Sequence, residues 1–202
     1  MEKDDKTFNS LLKYTNVLSV ALDYRDHLTQ LHSERVRALC TAMGEYCDLS
    51  HSEINNLIIA ASFHDIGKIG ISDKILLNPS KLDESEWAVM KQHSEIGERI
   101  MLSTELEGAQ HAAQIIRHHH EHYNGMGYPD QLSGDSIPIC SRIITIVDSY
   151  DAMAMTRTYH QARTHPEIMA IMHEETGVKH DPELMHIFCD IIESSDFKAI
   201  RL

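Results

Sequence analysis

The stretch IIRHHHEHYNGMGYPD, residues 115–130, places three consecutive histidines directly ahead of a loop that carries Gly125 and Gly127. Helical periodicity over about 105–121 runs into it, and the helix should fray there because Asn124, Gly125 and Gly127 follow closely. Neighbouring side chains on a helix point in different directions. His119 and His120 can therefore serve one centre only at a helix end, or by reaching different metals.

Outward from this stretch the chain is almost wholly helical in pattern. Phe8, Leu11, Leu12, Val17 and Leu18 mark one amphipathic segment, and Leu31, Val36, Leu39 and Met43 mark a second. Ser50 or Ser52 caps a third through Ile54, Leu57, Ile58 and Phe63, ending near Gly67. A fourth is expected over 83–101, where an acidic first turn suits the helix dipole. Later helices are expected over 138–156, 164–175 and 181–194, with Pro138 and Pro182 near two of the starts. The one breaker-rich stretch is 124–138, and strand-like alternation is scarce. The expectation is a single all-α domain whose loops carry chemistry.

Composition narrows the function classes. At 202 residues and 42% hydrophobic content the chain can bury a full core as one domain. Its longest apolar runs, LIIAASF at 57–63 and IITIV at 143–147, fall far short of the roughly 18 residues of a membrane span, and MEKDDKTFNS has no signal-like region. The reading is a soluble, cytoplasmic protein. Cys40, Cys47, Cys140 and Cys189 show no paired spacing and read as small buried hydrophobes. A formal charge of −13 argues against a duplex nucleic acid or an anionic membrane as partner, since both need a basic face. A small anion is still allowed, because bound divalent cations invert the local field. The 15 histidines are spread through the chain, unlike a terminal tag.

Several polar groups sit among apolar neighbours. His64 and Asp65 follow the apolar run at 57–63, with Lys68 four residues beyond His64. Alone, a His-Asp pair is more often structural than catalytic. Asp148 is harder to dismiss, because a carboxylate after ITIV is costly to bury unless paired or metal-bound, and Asp151 follows one turn later. With His32, His93, His119 and His120, the donors form a thiolate-free imidazole and carboxylate set suited to manganese, iron, zinc or nickel. Such a set can hold two ions about 3.5–4 Å apart with an activated water between them.

HDIGKIG, then His93, then HHEHYNGMGYP, then SRIITIVDSYDAMAMTRTY together resemble the HD-GYP phosphodiesterases, a branch of the HD-domain metal-dependent phosphohydrolases. The resemblance runs in order from about Arg25 to Phe188, most of the chain. It implies an HD-domain helical bundle over 25–202, with a metal centre in its core, preceded by an N-terminal helical extension over 1–24. The positions that match the family's metal ligands are His32, His64, Asp65, His93, His119, His120 and Asp148. Lys68 matches a lysine that contacts substrate phosphate, Asp151 an acid of the site, and Arg157 a phosphate-binding arginine. Gly127, Tyr128 and Pro129 form the signature loop, with Tyr128 expected to face a base and the glycines to give the backbone freedom.

The implied activity is metal-dependent hydrolysis of a cyclic dinucleotide to the linear dinucleotide, with cyclic di-GMP and cyclic GMP-AMP both open. Lys68 and Arg157 would hold nonbridging oxygens, and Asp151 would orient water, accept its proton, or only anchor Arg157 or a ligand histidine. The implied cofactors are two divalent transition metals, iron or manganese ahead of zinc or nickel. A diguanylate cyclase (GGDEF) domain or a sensory domain is the implied protein partner. The alternatives are a catalytically weak cyclic-dinucleotide sensor or adaptor, and another HD-superfamily nucleotide phosphohydrolase. His118 is read as having no ligand role, Glu121 as structural and pairing with Arg142, and Met153 and Met155 as packing.

Three positions depart from the family pattern. Leu28 stands where many relatives have a glutamate that helps hold a third metal, Asn124 replaces an acid but keeps an acceptor, and His160 stands where a basic residue is common. A hydrocarbon cannot ligate, so a third cation should be weakly held. Metal analysis of freshly purified protein should find two ions per chain, and a time course should pause at the linear dinucleotide. A tightly bound third ion would refute the first expectation and rapid mononucleotide accumulation the second, while Leu28→Glu should raise third-site occupancy.

Overall fold

The computed structural model describes residues 2–25, 29–106, 108–155 and 162–199. Its order is α1 (Glu2–Asp23), α2 (Thr29–Tyr46), α3 (His51–Phe63), a 3₁₀ turn (Ile66–Gly70), α4 (Asp73–Leu76), α5 (Glu84–Met90), α6 (His93–Leu102), α7 (Ala109–His118), a second 3₁₀ turn (Gly134–Ser136), α8 (Ile139–Ala154), α9 (His165–Glu174) and α10 (Pro182–Glu193). Among the described residues there is no strand, only an isolated bridge between Thr176 and His180. The all-α expectation holds.

Local sequence explains most of the boundaries. Ser50, rather than Ser52, caps α3 in a reciprocal box with Glu53, and Asp83 does the same for α5 with Glu86. Thr164 and Glu167 box α9, while the Asp181 carboxylate accepts from the amides of Glu183 and Leu184 ahead of Pro182 in α10. The helix expected over 83–101 is broken into α5 and α6. The cause is visible at the break: the His93 ring takes the Met90 carbonyl through Nδ1 at 2.8 Å, and Gln92 N–H turns back to Val89 in 3₁₀ fashion.

The core forms where α2, α3, α7, α8 and α10 meet, with Val36, Met43, Leu57, Ile116, Ile143, Val147 and Phe188 inside it. α1 buries Leu11 and Leu22 in the same core. Ala60, Ala61, Ala112 and Ala113 are fully enclosed, and such short side chains let helix backbones approach. Cys40 and Cys140 are buried as expected, whereas Cys47 and Cys189 are only half-buried, and all four are free thiols.

One close approach brings the two halves of the site together. A Cβ on Gly67 would lie 1.8 Å from the His93 carbonyl oxygen and 2.7 Å from the Gly97 amide nitrogen. The turn after His64 and Asp65 therefore rests on the backbone of α6. Arg25 straps that turn from outside, donating to the carbonyls of Lys68, Ile69 and Ile71 and to the Asp73 carboxylate. Gly67→Ala should cost at least about 1–3 kcal/mol, because a rigid backbone cannot yield as an overpacked side chain does. Gly44→Ala, whose added methyl meets side chains alone, the flexible end of Leu57 at 3.2 Å nearest, should be far milder when both variants are compared by urea unfolding.

Candidate metal centre

Three of the candidate ligands sit at helix ends and share one local device. His64 follows the last residue of α3, His93 opens α6 after the α5 break, and His119 follows the last residue of α7. Each ring donates through Nδ1 to the carbonyl three residues earlier: His64 to Ala61 at 2.8 Å, His93 to Met90 at 2.8 Å, and His119 to Ile116 at 2.6 Å. Carbonyls at a helix end lack intrahelical partners, so the bond satisfies the helix and orients the ring together. It also places the proton on Nδ1 and leaves Nε2 as a bare lone pair.

Those lone pairs converge. His93, His119 and His120 form one group whose ligand atoms lie within 4.8 Å of one another, and His32, His64 and Asp148 form a second on the same criterion. His93 Nε2 lies 3.4 Å from His119 Nε2, and His32 Nε2 lies 3.4 Å from His64 Nε2. His93 Nε2 and His119 Nε2 both lack a proton and cannot hydrogen-bond to each other, so that close pair calls for a cation. Asp65 stands between the groups, Oδ2 at 3.6 Å from His64 Nε2 and Oδ1 at 3.7 Å from His93 Nε2. The donor set thus fits two divalent cations with a shared carboxylate.

Electrostatics agree with this arrangement. Burial, and then the neighbouring rings of His64 and His93, push His119 down to about 3, while burial and His119 push His120 well down. Both are neutral imidazoles, the form that ligates. His32 goes the other way, to about 9: burial lowers it, but the carboxylates of Asp148 and Asp151 outweigh burial. Without a metal, a proton on that ring does crudely what a cation would do. Burial opposes ionisation of Asp65 and Asp148, yet Lys68 with His64 holds Asp65 well below the usual carboxylate range, and His32 does so for Asp148.

The centre has a dry floor and a wetter rim. His64, His93 and His119 are almost completely buried, whereas the Asp148 and Lys68 side chains retain 19% and 18% exposure. A ligand therefore meets the carboxylates and Lys68 first. Lys68 Nζ donates to Asp65 Oδ2 at 2.6 Å. Asp151 lies behind His32, with Oδ2 accepting from Nδ1 at 2.6 Å, and Arg35 grips both carboxylate oxygens at 2.5 and 2.9 Å. Thr145 Oγ1 donates to the His119 carbonyl at 2.7 Å, joining α8 to the end of α7.

The Gly-Tyr-Pro loop folds back over the histidine pair. Tyr128 N–H donates to the His120 carbonyl at 3.1 Å, and the Tyr128 ring lies 4.8 Å from the His120 ring, tilted by 30°. Tyr128 is half-buried against a ligand rather than simply exposed. Gly125 supplies the expected left-handed conformation, at φ 81°, but Gly127 serves a different need: its Cβ would lie 2.2 Å from the His122 amide nitrogen. Asp130 closes the loop. Its N–H donates to Glu121 Oε1 at 2.7 Å, and its carboxylate takes two bonds from Arg117, at 2.7 and 2.8 Å, and one from His118 at 2.9 Å. Asn124 keeps its acceptor role, receiving the Met126 amide at 2.9 Å.

All seven expected ligands thus come together, and His118 belongs to neither group. Glu121 does not pair with Arg142, which reaches Asp135 and Asp181 instead, because the returning loop claims the Glu121 carboxylate. Leu28, Arg157 and His160 lie outside the described residues. Sequence reasoning did not single out Arg35, Thr145 or the Arg117–Asp130 clasp. Arg35 stands one helical turn beyond His32, a visible signal, but nothing in the sequence pairs it with Asp151, 116 positions away.

The family model described as an HD domain matches residues 16–184. Over 165 residues the chain is 38% identical to the cyclic di-GMP phosphodiesterase response regulator RpfG of Xanthomonas campestris pv. campestris, covering 82% of this chain and 44% of that protein. It is 35% identical over 184 residues to a 3'3'-cGAMP-specific phosphodiesterase of Vibrio cholerae, covering 91% and 35%, and 36% identical over 178 residues to a cyclic di-GMP phosphodiesterase of Thermotoga maritima, covering 88% and 48%. The chain spans less than half the length of these curated relatives. Among solved structures, the V. cholerae cyclic GMP-AMP specific phosphodiesterase V-cGAP3 shares the fold at a TM-score of 0.69 and 20% identity, covering 93% of this chain and 50% of that one.

Replacing Asp65 or His120 by alanine should weaken metal binding by more than the roughly 10–100-fold expected from losing an outer hydrogen bond. Far-UV circular dichroism should be nearly unchanged, since neither change removes apolar core. Full metal content in either variant would contradict the ligand assignment.

Proposed function

Because the chain belongs to the HD-domain family, we propose that it is a metal-dependent phosphodiesterase that opens a cyclic dinucleotide, cyclic di-GMP or cyclic GMP-AMP, to the linear dinucleotide. The observation that carries this reading is the pair of candidate ligand groups, each with two imidazole Nε2 atoms 3.4 Å apart, and Asp65 reaching both groups. The names of the relatives in X. campestris, T. maritima and V. cholerae support the substrate class.

In this reading His93, His119 and His120 would hold one cation and His32, His64 and Asp148 the other, with Asp65 within reach of both groups. Two divalent cations supply Lewis acidity and offset the negative charge that builds on the phosphoryl group during hydrolysis. Iron or manganese suits a donor set with no thiolate, with zinc or nickel as the alternatives. The reaction adds water across one phosphodiester: one P–O bond forms, one breaks, the leaving sugar oxygen takes a proton to become a hydroxyl, and the product gains one phosphomonoester while keeping its other phosphodiester. Lys68, on the wetter rim beside Asp65, donates to a nonbridging oxygen, and Arg157 is its proposed companion. Gly127, Tyr128 and Pro129 form a pocket wall.

Asp151 acts as a positioning residue in this scheme. Both of its oxygens are already engaged by His32 and Arg35, so its work is to hold the His32 tautomer with Nε2 free. The proposed compartment is the cytoplasm, consistent with the finding that no described helix is long and apolar enough to cross a membrane. A diguanylate cyclase (GGDEF) domain or a sensory domain is the partner class that would set its activity.

The test is anaerobic reconstitution with manganese or iron, followed by chromatography of cyclic di-GMP and cyclic GMP-AMP digests. Lys68→Met should lose about 2–4 kcal/mol of transition-state stabilisation with metal stoichiometry unchanged. Asp151→Asn should bind metal roughly 10–100-fold more weakly, yet recover turnover when metal is saturating. A fully loaded Asp151→Asn protein without turnover would make Asp151 an acid–base group, and no hydrolysis by the loaded wild type would overturn the proposal.

A further inference from the structure

Trp87 is the sole tryptophan of the chain, and it stands 48% exposed on α5, a helix that buries none of its side chains. A single exposed aromatic residue is ordinary on a protein surface. What distinguishes Trp87 is where it stands. Its ring meets Tyr128 edge to face, with centroids 6.3 Å apart and planes at 83°, and Tyr128 in turn lies on the ring of His120. An aromatic path therefore leads from the His93, His119 and His120 group to the surface, and it ends in an indole that is about half exposed.

α5 is held in this place by polar contacts rather than by burial. The Asp83–Glu86 capping box fixes its start, and Asn78 donates to Glu86. One turn beyond Trp87, Lys91 brings its ammonium to 5.8 Å from the centre of the Tyr128 ring. The corner thus offers one exposed indole, standing at right angles to a Tyr128 ring that is covered by His120 and has the Lys91 ammonium over it.

We propose that Trp87, held edge to face by Tyr128 and flanked by Lys91, is the stacking platform for one purine base of the dinucleotide, on the His93, His119 and His120 side of the centre. This rests on the phosphodiesterase reading, in which the phosphates lie at the metals. Every nucleobase has a π-face, so stacking supplies affinity with little sequence preference. Lys91 supplies the preference: it can only donate, and guanine presents O6 and N7 as adjacent acceptors where adenine replaces one with an amino group. The subsite is therefore one for guanine.

Kinetics on the metal-loaded protein test it. Trp87→Ala should raise KM for cyclic di-GMP roughly ten-fold or more, with kcat and metal content moving much less, and Trp87→Phe should recover most of the loss. Trp87 is also the only indole, so GMP should quench its fluorescence saturably and AMP more weakly, with the difference shrinking in Lys91→Met. Unchanged KM in Trp87→Ala alongside normal wild-type turnover would overturn the subsite and leave the phosphodiesterase reading intact. Loss of metal in Trp87→Ala would also overturn it, by showing that the indole only props Tyr128 and His120. If the wild type cleaves neither cyclic dinucleotide while GMP still quenches Trp87, the subsite stands and the phosphodiesterase reading falls.

Discussion

A backbone carbonyl three residues back is what orients three histidines of the candidate metal centre. At the ends of α3, α5 and α7, the rings of His64, His93 and His119 each spend Nδ1 on a carbonyl that the helix can no longer use. The bond is local, so it forms wherever the helix stops. Its consequence is not local, because all three helices stop at one place and aim three lone pairs at one another. The arrangement costs free energy until a cation enters, and the fold carries that cost through the buried core on the other side of the same helices.

The remaining structure keeps those helix ends in register. Gly67 lets the turn after Asp65 lie on the His93 backbone, and Gly127 lets the signature loop cross the chain next to His122. Neither position tolerates a side chain, for reasons of distance rather than dihedral angle. Arg25 and Arg117 act from outside in a similar way, each gathering acceptors from separate segments. α8 completes the frame from behind: Thr145 ties it to His119, and its two carboxylates stand one turn apart, Asp148 facing the centre and Asp151 supporting His32.

Charge is arranged with the same economy. The chain carries a net −13, yet its centre gathers five histidines, three of them pushed toward the neutral form, around Asp65 and Asp148. Two added divalent cations would more than balance those carboxylates and give the pocket a positive face inside an acidic protein. An anionic ligand would then be drawn to a region whose sign differs from the net charge of the chain.

Much of this was legible in the amino-acid order. Helical periodicity and the absence of alternation determine the all-α class, and Ser50, Asp83, Thr164 and Asp181 announce helix starts through contacts no more than three residues away. The candidate donor set was legible because buried imidazoles and carboxylates need a reason, and the resemblance of the motifs pointed to one; the structure brings those donors together. What the order of residues could not determine is how distant segments meet. The turn after Asp65 rests on the α6 backbone, the Glu121 carboxylate is claimed by a loop nine residues on, and Arg35 meets Asp151 only because α2 packs on α8. Helix propensity and capping act over a turn or two, so sequence determines them. Pairing across a core depends on which backbones approach, and tertiary packing alone decides that.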